Sequence, residues 1–200
     1  MVTIGITGPS GAGKGAISGF LLNRGFAVIN ADDVYREVVS HPSPCLDELK
    51  QHFGDDVIAC DGGLNRKILA ERVFANGAAD KLELLNKITH KYVVATIREM
   101  VRDYEARSCY VCAIDAPLLI EAGLTLDCDF TVAVLADKLI RAERISSRDG
   151  IDEERAMSRI NAQKQDSFYI SNCTYTVYNN SDIDSLETQI ENILKDRSII

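Results

Sequence analysis

A glycine-rich stretch, GPSGAGKG at residues 8–15, carries the clearest chemical pattern in the chain. It follows a short apolar run and fits G-x-x-x-x-G-K-[ST] except at its end, because Gly15 and Ala16 stand after Lys14 where a hydroxyl is expected. Glycines let successive backbone N–H groups approach a phosphate, and the following helix adds the positive end of its dipole. A strand, this loop and a helix in that order favour a phosphate-binding loop, in which Lys14 reaches the β- and γ-phosphates, over a glycine-rich turn that binds nothing. The residues expected to hold nucleotide phosphates are Gly11, Ala12, Gly13, Lys14, Gly15 and Ala16.

The missing hydroxyl raises the question of how this loop would hold magnesium. Gly15 has no oxygen ligand to offer, Ala16 cannot replace it, and Ser18 is one helical turn further along. Because Mg²⁺ retains several waters in protein sites, the phosphates, waters and one acidic residue could hold it. Asp115, at the end of a predicted strand, is the acid we favour for holding such a water, with an ordinary turn residue as the alternative. The other explanation is that the chain has lost catalytic power.

Two acids at the start of another predicted helix form a second candidate site. The stretch INADDVYREVV at residues 29–39 ends a strand and begins a helix, at the edge where open α/β sheets bind ligands. Asp32 or Asp33 could orient a substrate hydroxyl or accept its proton, as a catalytic aspartate does in kinases. A helix cap followed by a first-turn acid would explain both aspartates equally well. Spacing alone therefore leaves the two interpretations open.

A third pattern is a row of arginines late in the chain. Arg141, Arg144 and Arg148 have the spacing i, i+3 and i+7, which places them on one face of a helix. Arg159 lies on the next predicted helix, and a loop at residues 149–150 joins the two as a hinge. Arginines on a closing lid can stabilise a transferring phosphoryl group and exclude water. The alternative for each arginine is a solvated basic face paired with the nearby acids Glu143, Asp149 and Glu153.

Apolar strands that alternate with helices predict a parallel α/β sheet covered on both faces. The long helical stretch between the second and third strands is too large for a simple crossover, so it could form a cap over the ligand cleft. The predicted strands cover residues 2–7, 26–30, 109–115, 130–135 and 174–179. The predicted helices lie within residues 13–25, 31–40, 45–54, 61–77, 80–107, 137–149, 152–163 and 182–196.

The composition narrows the class of protein. A length of 200 residues suggests one domain, and 46% hydrophobic with 26% charged residues is typical of a globular protein. The net charge of −8 disfavours nucleic acid as a partner. No secretory signal or membrane-spanning segment is evident, and the six cysteines are interpreted as reduced thiols, so a cytoplasmic location is expected. The oligomeric state stays open.

Taken together, these motifs and several later ones resemble the dephospho-coenzyme A kinase family, which is related to the nucleoside monophosphate kinases. NADDVYREVV resembles the family's D-A-D segment, with Asn30 in place of the first acid. LLNKITHKYV resembles L-N-x-x-x-H-P with Lys91 in place of the proline, and YNNSD resembles D-N-x-G with Tyr178 where an aspartate is common. The order and spacing of the matches, from residue 4 to about 180, make the resemblance specific. The other matching stretches are DGGLNRKILAERVFAN, AIDAPLLIEAGL and RISSRDGIDEERAMSRINAQ.

The resemblance implies ATP-dependent phosphorylation of the ribose 3′-hydroxyl of dephospho-coenzyme A, with Mg²⁺, giving coenzyme A and ADP. It implies a five-stranded parallel sheet of the P-loop kinase type in one domain, residues 1–200, with a helical substrate-binding region at 61–107 and a lid at 141–165. The implied catalytic residues are Asp32 as the base, Lys14, Arg144 and Arg148. The resemblance also implies that Asn179 binds ATP, in addition to the loop residues named above. The implied acceptor-binding residues are Asp32, Arg36, His90, Pro117 and Leu118, and His90 is expected to shape the acceptor site.

Two other functions remain possible at this point. A kinase of the nucleoside monophosphate type suits the GAGKG loop, but it does not explain the NADD and PLLIE segments. A nucleotide-binding protein that has lost catalysis would explain the Gly15–Ala16 pair and Tyr178. The chain retains the residues expected to do the chemistry, which argues against that loss. They are Lys14, Asp32, Asp115, Arg144 and Arg148.

Overall fold

The structure is a computed structural model that describes residues 1–74 and 79–200. Its five strands are β1 (Val2–Thr7), β2 (Ala27–Asn30), β3 (Val111–Asp115), β4 (Phe130–Leu135) and β5 (Tyr175–Tyr178). They form one sheet in the order β2-β3-β1-β4-β5. The central strand β1 pairs in parallel with β3 and β4, and β4 pairs in parallel with β5. The predicted α/β class and five-stranded parallel sheet are therefore confirmed.

The described helices follow the predicted ones closely, with one addition. They are α1 (Lys14–Asn23), α2 (Ala31–Val38), α3 (Pro44–Phe53), α4 (Arg66–Val73), α5 (Ala79–Ala106), α6 (Lys138–Asp149), α7 (Glu153–Asn161), α8 (Asp166–Asn172) and α9 (Ile183–Asp196). The short helix α8 was not predicted, and short 3₁₀ turns cover Asp55–Val57 and Leu124–Asp127. The helix predicted within 61–77 is α4, and residues 75–77 of that prediction lie outside the described residues.

The chain folds into two compact units, and the first contains all of the sheet except Asn30, the last residue of β2. This unit comprises Met1–Ile29 and Asp103–Ile200. Every residue of β4 is buried, as expected for a strand covered on both sides. One face packs against α1 and α9, and on the opposite face Ala133 and Leu135 pack against Tyr169 of α8. Because helices cover both faces of the sheet, the ends of its strands are held in place. The loops of the candidate site begin at these strand ends.

The second unit, Asn30–Arg102, is helical and has its own apolar core. Side chains of α3, α4 and α5 form this core together with Val39 and Val57. Ser43 caps α3, because its hydroxyl oxygen accepts a hydrogen bond from the Leu46 N–H at 3.3 Å. The shared core holds α3, α4 and α5 together within this unit.

A candidate nucleotide site at the carboxyl end of the sheet

The loop between β1 and α1 has a backbone that requires glycine. Gly13 has a φ of 97°, and a Cβ built on it would lie 2.0 Å from Nδ2 of Asn179. Gly8 has a φ of 145°, and its Cβ would lie 2.1 Å from the carbonyl oxygen of Val134. A side chain at either position would strain the backbone and collide with a fixed atom. The pattern read from the sequence thus reflects close approach between the loop and its neighbours.

The carbonyl groups of the loop are held by side chains around it. The Ser10 carbonyl accepts a hydrogen bond from Nε of Arg141 at 2.9 Å, and the Ala12 carbonyl accepts one from Nδ2 of Asn179 at 2.9 Å. The C=O and N–H of one trans peptide unit point in opposite directions. The N–H groups of Gly11 and Gly13 therefore point away from these side chains, as a phosphate cradle needs. The Ala12 N–H donates within the loop, to the Pro9 carbonyl at 3.3 Å.

Lys14 and the start of α1 complete this end of the loop. The Lys14 ammonium donates to the carbonyl oxygen of Gly8 at 2.9 Å, so the side chain folds back along the loop. The capping position of α1 is Gly13, and no side chain caps the helix. The Ala16 N–H donates to the Gly13 carbonyl at 3.0 Å. A helix start without a side-chain cap offers its N–H groups to an anion.

Arg141 is the most buried of the three arginines on α6. Its side chain is 2% exposed, and burial lowers its pKa from the usual range. Besides the Ser10 carbonyl, it donates to Oε1 of Gln163 at 2.6 Å, and the same oxygen accepts the Ser10 N–H at 3.2 Å. Its guanidinium also lies 3.9 Å from the carboxylate of Asp166. These contacts fix the loop to α6 and to the start of α8, so Arg141 acts on the shape of the loop.

Arg144 and Arg148 lie further along the same face of α6. Arg144 donates to the Gly11 carbonyl at 3.4 Å and to Oδ1 of Asn179 at 3.3 Å. Arg148 donates to the hydroxyl of Ser10 at 3.4 Å. Since all three arginines contact loop residues 10 or 11, their predicted position on one helix face is confirmed.

Asp149 joins two of the predicted lid arginines. Its carboxylate accepts from Nε of Arg148 at 2.7 Å and from a terminal nitrogen of Arg159 at 2.7 Å. The hydrogen bond from Arg148 is the main reason that its pKa lies below the usual range. Asp152 caps α7, since its carboxylate accepts the Arg155 N–H at 2.8 Å. The junction of α6 and α7 is thus held by charged hydrogen bonds.

Asn179 is the residue after β5 and contacts both the loop and α6. It is 7% exposed, and its N–H donates to the carbonyl of Leu135, which extends the pairing of β4 and β5. The flanking residues are also fixed: Gln189 binds the N–H and the carbonyl of Tyr178, each at 2.9 Å. Asn180 binds the backbone N–H and the side chain of Asp137, at 2.8 and 2.9 Å.

Asp115 ends β3 opposite Ile6, one residue before the end of β1. It is 4% exposed, and the Ser18 hydroxyl donates to its Oδ2 at 2.7 Å. Sequence reasoning considered Ser18 only as a replacement for the loop hydroxyl and so missed its contact with Asp115. The available signal was its position four residues after Lys14, on the same face of α1. Within the described part of the chain, no group of three or more His, Cys, Asp or Glu side chains could hold a metal ion.

The two acids of the second unit occupy different environments. Asn30 caps α2, and its Oδ1 accepts the N–H of Asp32 at 2.9 Å and of Asp33 at 3.2 Å. Asp33 forms an ion pair with Arg36, and both side chains are largely exposed. Among the described residues, no hydrogen bond or ion pair involves the exposed carboxylate of Asp32. The cap is therefore Asn30 rather than either aspartate, and Asp32 is the acid open to a ligand.

The remaining predicted acceptor residues lie in both units. His90 is half-buried on α5. Pro117 and Leu118 follow β3, and the Pro117 carbonyl accepts the hydroxyl of Thr7 at 3.2 Å. Leu118 is 45% exposed. No helix of the described residues is long and apolar enough to cross a membrane.

The strand order, the uncapped glycine loop after β1 and the arginine-bearing α6 define a kinase of the P-loop class. Residues 2–185 match the family model described as "Dephospho-CoA kinase". The chain is 32% identical to the dephospho-CoA kinase of Dehalococcoides mccartyi over 98% of both chains. It is 31% identical to the dephospho-CoA kinase of Corynebacterium glutamicum over 97% of this chain and 98% of the relative.

The chain therefore belongs to the dephospho-CoA kinase family. A solved structure, the dephospho-CoA kinase from Campylobacter jejuni, has the same fold. It is 20% identical, covers 98% of this chain and 96% of its own, and has a TM-score of 0.71. The family resemblance read from the motifs is confirmed.

Proposed function

We propose that this protein transfers the γ-phosphoryl group of ATP to the ribose 3′-hydroxyl of dephospho-coenzyme A, giving coenzyme A and ADP. The single observation that carries this proposal beyond family membership is the arrangement of the β1–α1 loop. Its carbonyls are held by Arg141, Arg144 and Asn179, and its helix start is uncapped. This leaves backbone N–H groups and the helix dipole to bind the phosphates of ATP.

On the donor side, the chain supplies positive charge to the transferring group. In the proposed reaction the γ-phosphorus forms a bond to the 3′-oxygen while its bond to the β–γ bridging oxygen breaks. Lys14, Arg144 and Arg148 stabilise the negative charge that spreads over the phosphoryl oxygens. Lys14 and Arg144 contact loop carbonyls at 2.9 and 3.4 Å. Exchanging these weak partners for phosphate oxygens would gain stronger, charge-assisted hydrogen bonds.

On the acceptor side, Asp32 accepts the proton of the 3′-hydroxyl. The Asn30 cap fixes the backbone of Asp32 through a 2.9 Å hydrogen bond while the carboxylate stays exposed. Asp33 is paired with Arg36, so it is the weaker candidate for the base. Arg36, His90, Pro117 and Leu118 are proposed to bind the acceptor, with His90 shaping its pocket.

Magnesium is part of the proposal, and the residues present fit it. A bound Mg²⁺ would offset the negative charge of the ATP phosphates during transfer. Asp115 is a buried carboxylate level with the start of the loop, and it would hold one of the waters on the ion. We also propose that the protein acts in the cytoplasm on these two small substrates, without nucleic acid.

The substrate is tested by a panel of acceptors with γ-³²P-labelled ATP. We expect label to transfer to dephospho-coenzyme A, and mass spectrometry of the product to place the phosphate on the 3′-oxygen. AMP, CMP and adenosine serve as matched acceptors that lack the pantetheine arm. Faster labelling of a nucleoside monophosphate would indicate a kinase of that type instead. Tight ATP binding without transfer to any acceptor would indicate a nucleotide-binding protein that has lost catalysis.

A further inference from the structure

The position after Lys14 has room for a side chain that the sequence does not supply. Gly15 lies within the regular helix α1, outside the positions with positive φ. A Cβ built there would meet no atom within 4 Å beyond its own stretch of helix. Serine would therefore fit at position 15 without strain. The space beside Lys14 is open because residue 15 is glycine, although a side chain would fit there. Water can enter this space.

One turn later on α1, Ser18 supplies a hydroxyl that contacts Asp115. Its hydroxyl lies 2.7 Å from Oδ2 of Asp115 and 3.3 Å from the Lys14 carbonyl. A serine hydroxyl has one proton, which goes to the nearer, charged acceptor. Both residues are buried, with exposures of 8% for Ser18 and 4% for Asp115.

The distance along the helix prevents Ser18 from acting as a metal ligand in place of residue 15. Three residues of α-helix displace it by about 4.5 Å along the axis. A direct bond to Mg²⁺ requires about 2.1 Å. A hydroxyl at position 18 can therefore orient Asp115 but cannot occupy the coordination position that a residue-15 hydroxyl would take.

We propose that Ser18 is a positioning residue that orients Asp115 toward a magnesium-bound water, and that a further water fills the coordination position left open at Gly15. The proposal rests on the proposed function, because it assumes that ATP binds with its metal ion. The ion bound to this loop therefore keeps one more water than an ion bound to a loop with serine at position 15. Ser18 acts only on the metal step of binding, through the carboxylate.

The first test measures metal affinity without turnover. Binding of Mn²⁺ to the protein–ADP complex is followed by electron paramagnetic resonance, and ADP binding in EDTA is measured by calorimetry. Ser18→Ala is expected to raise the Mn²⁺ concentration at half-saturation roughly tenfold, because partners of metal-oriented carboxylates tune affinity on that scale. ADP affinity in EDTA should stay within about twofold of the wild type.

The matched control is Ser171→Ala on α8. The Ser171 hydroxyl lies 2.8 Å from the carbonyl oxygen four residues earlier, as the Ser18 hydroxyl lies near that of Lys14, but among the described residues it has no hydrogen bond with a carboxylate. We expect this variant to bind Mn²⁺ like the wild type. If Ser18→Ala and Ser171→Ala bind Mn²⁺ equally, or if Ser18→Ala weakens ADP in EDTA as much as in Mn²⁺, the positioning role is wrong.

The second test counts the waters on the ion and does not depend on Ser18→Ala folding well. Line broadening of Mn²⁺ in H₂¹⁷O is compared between the wild type and Gly15→Ser, both bound to ADP. The proposal requires one water fewer in Gly15→Ser. An equal count in the two proteins would overturn it. Failure of the wild type to bind ADP at all would instead contradict the proposed function.

Discussion

The starts of α1 and α2 are both strand-to-helix junctions, yet they treat their backbone N–H groups in opposite ways. At α1 the capping position is Gly13, which has no side chain to accept a hydrogen bond from the first turn. At α2 the side chain of Asn30 accepts two N–H groups, those of Asp32 and Asp33. The first junction keeps its donors for an anion, whereas the second satisfies its donors internally and presents acids. This difference is what the proposed function requires, with phosphate binding at the first junction and an acid for the acceptor hydroxyl at the second.

The surroundings of the two junctions differ in the same sense. Side chains of α6 and the residue after β5 hold the carbonyls of the first loop. Asp32 and Asp33 are exposed and are fixed mainly through their backbone. We infer that the β1–α1 loop is rigid before ligands bind, whereas Asp32 is held through its backbone by the Asn30 cap. The following changes test this contrast.

The largest effect is expected for Gly13→Ala. The new Cβ would collide with Asn179 at 2.0 Å, on a backbone with φ 97° that alanine disfavours. ATP affinity measured by calorimetry should fall at least about 100-fold, since the cradle must open. Gly15→Ala is the control, because its methyl group meets open space, and it should bind ATP like the wild type. Equal losses in both variants would show that the loop is not shaped as described.

A smaller effect is expected for Asn30→Ala, which removes the cap of α2. The free energy of unfolding in urea should fall by about 1 kcal/mol, the usual cost of losing a side-chain cap. Turnover should fall as well, because Asp32 is no longer fixed, while ATP affinity should stay unchanged. Asn30→Asp keeps a capping oxygen and should retain both stability and turnover. A loss of ATP affinity in Asn30→Ala would contradict the division of roles between the two junctions.

The smallest effect concerns Asp149, whose ion pairs with Arg148 and Arg159 hold the junction of α6 and α7. The hydrogen bond from Arg148 lowers the pKa of Asp149 in the folded protein. The carboxylate therefore stabilises the fold at pH values above its unfolded pKa of about 3.9, and this stabilisation is lost as the pH falls through the lower folded pKa. The Tm of the wild type should exceed that of Asp149→Asn by about 1–2 °C at pH 6. Once the pH has fallen through the lower folded pKa of Asp149, the two should converge. A difference that grows in acid would reverse the assigned sign.

Much of the fold and part of the site could be predicted from the sequence. Regular apolar runs located β1 and β4 to the residue, and the i, i+3, i+7 arginines were placed correctly on one face of α6. Such features depend on residues close together in the chain. The short helix α8, with only seven residues, has too little periodicity to be recognised.

The rest depended on contacts between distant residues. Burial of Arg141 follows from partners at Ser10 and Gln163, which lie 131 and 22 residues away. The Ser18–Asp115 contact spans 97 residues. That Asn30 is the cap, rather than Asp32 or Asp33, also became visible only in the structure, where its amide oxygen accepts both backbone N–H groups. The functional assignments of individual residues remain predictions.

The central claim, that Asp32 accepts the proton of the acceptor hydroxyl, is tested most directly by one single-turnover measurement. Enzyme saturated with Mg²⁺ and γ-labelled ATP is mixed with dephospho-coenzyme A in a quench-flow apparatus, for the wild type, Asp32→Asn and the control Asp33→Asn. We expect the transfer rate to fall at least about 100-fold in Asp32→Asn, and less than about threefold in Asp33→Asn, with ATP affinity unchanged in both. A transfer rate in Asp32→Asn close to that of the wild type would contradict the account.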